Sequence, residues 1–380
     1  MCEFTSQQPS SHDTRLFDLV FQRIQKSPEN SISFSDYMEL VLYAPELGYY
    51  SSPETRLVGR RGDFYTSVSV GNTFGFLLGQ RIIQEWGRVF DPDLPFVVVE
   101  QGAHDGQLAI DILSGLIDSG NPLAEILEYR IVDPRPETRE WLASRFESEG
   151  LSDRVKIVES LEAASAKQGV FLCNELLDAF PVHRLRFEGG GWSEWQVGIE
   201  SGKLAWVAKA LPEKLKPFAK ELGSEFPEGY TTEICPSAIE WTTSCSKLFE
   251  RGLWWIIDYG HEAEDYFSPH RSSGTLRCYR NHEATEDPFD APGEVDITAH
   301  VNFSHIRQAG LAAGLRERES TDQHHFLIEA ARPWLLSVEG KSPDVETAKR
   351  IRQFQTLTHP AMMGQQFKVA EFSRGIGQSV

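Results

Sequence analysis

Phe96-Val97-Val98-Val99-Glu100-Gln101-Gly102-Ala103-His104-Asp105-Gly106 is the stretch whose reading decides the fold. Its apolar run is short and rich in valine, which argues a buried strand rather than a buried helix. It runs straight into a glycine turn, and residues 107–117 then read as a helix. Glycines at such a turn let the backbone approach a ligand closely, and the helix start offers unpaired N–H groups. A second strand over 129–133 ends in Asp133, where a carboxylate can accept both hydroxyls of a ribose.

The same alternation continues outward. A helix is predicted over 137–147, strands over 155–158 and 170–173, and a further central strand over 253–260. Strands alternating with helices predict a parallel sheet, whose ligands sit at the carboxyl ends of the strands. The strand at 170–173 ends in Asn174-Glu175-Leu176-Leu177-Asp178-Ala179-Phe180-Pro181. An amide and two carboxylates delivered there cost desolvation unless a polar or cationic group meets them. The plain alternative is a solvated turn that Pro181 closes.

Toward the N-terminus two helices fit residues 14–43, with Ser35 or Asp36 as N-cap of the second, and a third fits 70–86. Residues 184–208 alternate around glycines as an antiparallel meander. Residues 212–249 read as helical or irregular, and 261–300 as a long loop region. Helices are expected over 301–315 and 343–357, the latter capped by Ser342 with Pro343 at its first position, before a polar C-terminus. These spans divide the chain into an N-terminal helical extension (1–90), an α/β core (91–183 and 251–380) and an inserted α+β subdomain (184–250).

With 380 residues, 40% of them hydrophobic and 11% aromatic, the chain can bury one large core or two smaller ones. A formal charge of −19 argues against nucleic acid, whose phosphates need a basic footprint, and suits solubility or a basic partner. Five scattered cysteines without a C-x-x-C suit reduced thiols, so a cytoplasmic location is expected. No apolar run approaches the ~20 residues needed to cross a bilayer, so no membrane insertion is expected. The histidines show no ligand spacing, and the adjacent His324-His325 point to different sides of any regular element, so no structural metal is expected.

The glycine turn lacks a full G-x-G-x-x-G, since Gly102, His104 and Gly106 hold the relevant places. That disfavours a pyrophosphate-bearing dinucleotide such as NAD and suits a nucleoside without phosphates, of which S-adenosyl-L-methionine (SAM) is one.

Several further blocks point the same way: Gly62-Asp63-Phe64-Tyr65-Thr66-Ser67 with Phe74-Gly75-Phe76-Leu77-Leu78-Gly79, Asn174 through His183, Asp258-Tyr259-Gly260, Gly274-Thr275-Leu276-Arg277, Asp296-Ile297-Thr298-Ala299-His300-Val301, and Met363-Gly364 with Phe367-Lys368-Val369. Together they resemble the signatures of the MidA/NDUFAF-type SAM-dependent methyltransferases, whose mitochondrial members methylate an arginine of a respiratory complex I subunit. The resemblance spans about residues 34–372. It implies an α/β class I SAM-methyltransferase (Rossmann-like) sheet, SAM as cofactor and a protein substrate such as a respiratory complex subunit. Three departures stand out. His104 replaces a glycine of the usual turn, Val68-Ser69 stands where Pro-Glu is usual, and Asn302 where Asp is usual.

An arginine acceptor stays protonated in solution, and carboxylates can hold its guanidinium bidentately and aim one nitrogen. Glu175 and Asp178 are therefore the candidate catalytic groups, with Asn174 orienting the acceptor or the amino-acid portion of SAM. Glu100, Gly102, His104, Gly106, Asp133 and Asp63 are the candidate cofactor contacts. Asp63 reads equally as a turn-forming residue after Gly62, and Glu175 as a helix-start carboxylate. Asp258 ends its strand near the site or caps the following turn. The expected function is that of a SAM-dependent protein-arginine N-methyltransferase, with a second copy of the chain as a further candidate partner. A non-catalytic assembly factor on the same fold and a small-molecule methyltransferase are the alternatives.

Overall fold

The valine run and its glycine turn form the centre of a large sheet. The computed structural model describes residues 11–51, 66–280, 283–285 and 287–377. In chain order the main strands of that sheet are β1 (Phe96–Gln101), β2 (Leu127–Val132), β3 (Val155–Val158), β4 (Ala166–Asn174), β5 (Phe249–His261), β6 (Arg316–Asp322) and β7 (Phe367–Arg374). They lie in the order β6-β7-β5-β4-β1-β2-β3, with a two-residue strand, Val301–Asn302, beside the end of β5. Strands β1 to β5 are mutually parallel, and β7 is antiparallel to β5 and β6. The longer helices used below are α1 (Thr73–Val89), α2 (Gln107–Asp118), α3 (Pro136–Ser148), α4 (Phe303–Ala312), α5 (Gln323–Val338) and α6 (Val345–Thr358).

This is the expected Rossmann-like arrangement. Strand order reverses between β1 and β4, and crevices at such reversals hold ligands. Val98, Ile131, Leu172 and Trp255 are buried in the core of this sheet. Each large side chain buried there contributes ~1.5–3 kcal/mol.

The chain divides into two compact units. The sheet just described belongs to the unit built from described residues within 65–178, 238–263 and 301–380. The other draws on described residues within 1–64, 179–237 and 264–300. There Ser31–Ser33, Gly191–Glu200, His183–Glu188 and Thr231–Ile234 lie side by side in an antiparallel sheet, with Lys203–Ala210 also paired to Gly191–Glu200. Its core includes Phe34, Tyr37, Val41, Val197 and Ile297.

The expected meander is present, but its surroundings differ from the division at 90/91, 183/184 and 250/251. It pairs with a strand from the N-terminal region and shares a core with 264–300. Residues 261–300 are no plain loop: Arg277–Arg280, Glu283–Thr285 and Asp296–Thr298 form a three-stranded antiparallel sheet. The second N-terminal helix, Phe34–Tyr43, is capped by Ser33, whose hydroxyl accepts from the Asp36 N–H at 3.0 Å, rather than by Ser35 or Asp36. Asp344, not Ser342, caps α6, because its carboxylate accepts the Thr347 N–H at 2.7 Å. The polar C-terminus contains β7, which alternates apolar residues along an eight-residue pairing with β5.

Candidate functional site

The β1–β4 register sets Glu100 opposite Leu172, so the turns that follow these two strands are neighbours. Gly102 has φ +84°, and a Cβ built there would lie 3.1 Å from Leu176 Cδ1. Gly106 has φ +77°, and a Cβ there would come within 2.9 Å of Phe146 Cζ. Both positions thus need glycine for conformation and for room. His104 sits between them with φ +48°, a left-handed conformation that disfavours any residue with a Cβ, and its side chain is 54% exposed. His104 thus takes up a conformation that suits glycine, with its ring largely exposed beside Asp105.

The turn is also braced electrostatically. The Asp105 carboxylate accepts the Gln107 N–H at 3.0 Å at the start of α2 and pairs with Arg145 at 2.8 Å. Burial would raise the Asp105 pKa, but hydrogen bonds to His104 and Arg145 outweigh it and hold the carboxyl well below the usual range. Glu100, at the end of β1, is buried and accepts the Tyr129 hydroxyl at 2.8 Å. Burial is the main cause that lifts it to about 7, and Asp105 adds to the rise.

Asp133 follows β2 directly. It is gripped by Arg135, which donates from its backbone N–H at 2.8 Å, from Nε at 3.0 Å and from Nη2 at 2.6 Å. A carboxylate has about four lone-pair sites, so room remains for a further hydroxyl donor.

At the end of β4, Asn174 donates from Nδ2 to Glu175 Oε1 at 2.8 Å, and the same oxygen accepts the Ser67 N–H at 3.3 Å. Glu175 has φ +53°. This left-handed kink lets its N–H reach Ile257 O at 3.0 Å while the chain turns away from the sheet. Asp258, on the adjacent β5, explains how the kink is held. One of its oxygens accepts the N–H groups of Leu176 (3.1 Å), Leu177 (2.8 Å) and Asp178 (3.3 Å), and the other accepts that of Tyr259 (2.8 Å). Asp258 is therefore a fully buried anchor of the Glu175–Asp178 turn.

Two of these acids are pushed toward their neutral forms. Burial, then the nearby Asp178, lifts Glu175 to about 8. Burial and Glu175 raise Asp258, whereas the N–H donors favour its ionised form. With four N–H partners on Asp258 against two on Glu175, the negative charge is favoured more strongly on Asp258. Among the described residues no Lys, Arg or His is paired with Glu175. The Asn174 Oδ1 is buried without a hydrogen-bond partner. A bared glycine turn, a strand-end carboxylate and a buried orphan acceptor at the carboxyl ends of three neighbouring strands fit an organic ligand with polar and cationic groups.

The structure thus brings Glu100, Gly102, His104, Gly106, Asp133, Asn174, Glu175 and Asp178 to one edge of one sheet. Asp63 lies outside the described residues. Sequence reasoning missed Ser67, Tyr129 and Arg145 as supports. Ser67 stood inside a motif block, but nothing local marks Tyr129 or Arg145, whose partners are far along the chain. Asn302, where the family has Asp, caps α4 with its side-chain oxygen on the His305 N–H at 3.2 Å, a task either residue performs.

The family model described as "Putative S-adenosyl-L-methionine-dependent methyltransferase" matches residues 77–321. The chain belongs to this family. A Burkholderia thailandensis protein solved with bound S-adenosyl-homocysteine is 32% identical, with a TM-score of 0.84, over 99% of this chain and 97% of that one. Among curated relatives, the Drosophila melanogaster "Protein arginine methyltransferase NDUFAF7 homolog, mitochondrial" is 28% identical over 98% of this chain and 88% of its own length. The Homo sapiens "Protein arginine methyltransferase NDUFAF7, mitochondrial" is 27% identical over 88% of this chain and 78% of its own. The protein is a SAM-dependent methyltransferase. The cytoplasmic location expected from the cysteines is overturned, because these curated relatives are mitochondrial proteins. Unpaired thiols do not distinguish the two compartments.

Proposed function

We propose that the chain is a protein-arginine N-methyltransferase whose acceptor guanidinium is held by Glu175 and Asp178. The carrying observation is Glu175 at the end of β4, lifted to about 8 by burial and the nearby Asp178, with no Lys, Arg or His paired with it among the described residues. A cation arriving there relieves the desolvation that burial imposes, which is the task an arginine side chain fits. The names of the curated relatives support the same substrate class and a protein acceptor.

In this reading the backbone of Gly102 and Gly106 and the Asp133 carboxylate hold the nucleoside, and Glu100 and Asn174 serve the amino-acid portion. SAM supplies, when bound, a methyl group on a sulfonium sulfur. Glu175 must lose its proton to grip the acceptor. It then accepts the guanidinium proton as the nitrogen becomes nucleophilic, while Asp178 keeps the group aligned. Asp258 holds both at their stations through the turn's backbone.

The test has two arms. Methyl-radiolabelled SAM is incubated with the protein and an arginine-containing acceptor, and label is sought in the protein or peptide fraction. Label appearing only in small solutes refutes the protein-arginine reading. By calorimetry, Asp133→Ala is expected to abolish binding of S-adenosyl-homocysteine; unchanged affinity refutes the site assignment.

A further inference from the structure

The glycine turn and Asp133 are fastened by the same helix. Arg145, on α3, donates from Nη1 to the backbone carbonyl of Asp105 and pairs with its carboxylate at 2.8 Å. Its other terminal nitrogen donates to Gln107 Oε1 at 2.7 Å. Gln107 continues the chain to Asp111 at 2.8 Å. At the opposite end of α3, Arg139 donates to the backbone carbonyl of Asp133 at 3.0 Å, and Arg135, the residue just before the helix, forks onto the Asp133 carboxylate. On the same helix Leu142 and Phe146 are buried, and both lie against the place where a Gly106 side chain would be. Arg145 itself is only 15% exposed, so its charge is spent on these partners and not on solvent.

We infer that α3 is an arginine clamp that sets the distance and orientation between the glycine turn and Asp133. Arg145 and Arg135 are its positioning residues. A guanidinium suits this work because its planar fork fixes a carboxylate and a carbonyl together, which an ammonium cannot do. Arg145 acts through Asp105 and the turn backbone, and Arg135 acts through Asp133. The inference rests on the reading that the turn and Asp133 hold the nucleoside, and it adds what keeps them in register. It also accounts for Asp105, whose carboxylate is a strut between turn and helix.

S-adenosyl-homocysteine binding is measured by calorimetry for the full chain and for Asp133→Ala, Arg145→Ala, Arg145→Lys and Asp105→Ala, with Tm of the protein alone recorded for each. Arg145→Ala is expected to weaken binding about tenfold, the size of one charge-assisted contact. Asp105→Ala is expected to do the same, and the two together no more than either alone. Arg145→Lys, which keeps the charge and is the safer variant for folding, should recover Tm but not affinity. In turnover with a saturating acceptor, KM for SAM should rise while kcat holds. If Asp133→Ala weakens binding but both Arg145 variants bind as the unaltered chain does, the clamp is refuted and the site stands. If Asp133→Ala leaves binding unchanged, the site assignment falls first. A loss of affinity that follows Tm across all variants, Arg145→Lys included, also overturns the clamp in favour of plain destabilisation.

Discussion

Glu175 concentrates the conflict between stability and function in this site. Its carboxyl is raised from 4.5 to about 8, so the folded form keeps a proton that the unfolded chain has lost. Stability from this residue is therefore full at pH 4 and declines as pH rises from about 4.5 to 8, by on the order of a few kcal/mol. Glu175→Gln removes that decline. Thermal melts are expected to show the variant gaining on the unaltered protein at pH 8–9 and matching it near pH 5. Turnover should move the other way. kcat/KM for the acceptor reports the free enzyme's pKa, so it should climb toward pH 8 and be flat and at least about a hundredfold lower in the variant. A variant with the full pH slope would remove Glu175 from the chemistry. Asp258 poses the opposite case, an acid whose work is structural. Asp258→Ala orphans the buried N–H of Leu177 and strips its neighbours, at about 1–3 kcal/mol for each such group, so a fall in Tm of several degrees is expected. Asp258→Asn keeps an acceptor oxygen and should recover part of it.

At the level of elements, β1, β4 and β5 were legible because each contains an apolar run buried on both faces, β2 because apolar residues alternate along it, and the order of their turns placed the site. The elements that escaped notice are those whose stability comes from distant partners. Strand β6 reads Arg-Glu-Arg-Glu-Ser-Thr-Asp, with no apolar residue to betray it. It is held by pairing with β7 and by ionic contacts: Arg318 reaches Glu85 of α1 at 3.0 Å, and Arg81 bridges Glu85 at 3.3 Å and Glu371 of β7 at 3.5 Å. Glu85 is fully buried and Glu371 nearly so, and their charges are balanced by the two arginines. Truncating one member leaves an uncompensated buried charge. Glu371→Ala is expected to cost about 3–5 kcal/mol in chemical denaturation, more than Glu371→Gln, which keeps the side chain's volume and a polar oxygen facing Arg81. A loss below about 1 kcal/mol would show the cluster to be solvated and β7 to be held by its apolar face alone. The candidate site was legible for a related reason. Its residues come in short blocks at the ends of three strands of the pattern, whereas Tyr129, Asp258 and Arg145 act across sequence gaps that no local pattern records.

For the whole molecule, the formal charge of −19 acquires meaning beside the cationic acceptor proposed above. An acidic protein attracts a basic, arginine-bearing partner over distances up to about the Debye length, near 10 Å at 0.1 M salt and shorter above it. SAM is small and, with its carboxylate, carries little net charge, so its capture should depend weakly on salt. The two substrates are thus expected to separate in a salt titration. Between about 20 and 300 mM NaCl, kcat/KM for a basic arginine-containing acceptor should fall roughly tenfold or more through slower association, while KM for SAM changes little. An acceptor peptide of the same length with acidic residues flanking its arginine should be poor at every salt concentration and improve as salt screens the repulsion. Parallel salt curves for the two peptides would refute electrostatic steering and return the choice of acceptor to contacts at Glu175 and Asp178 alone.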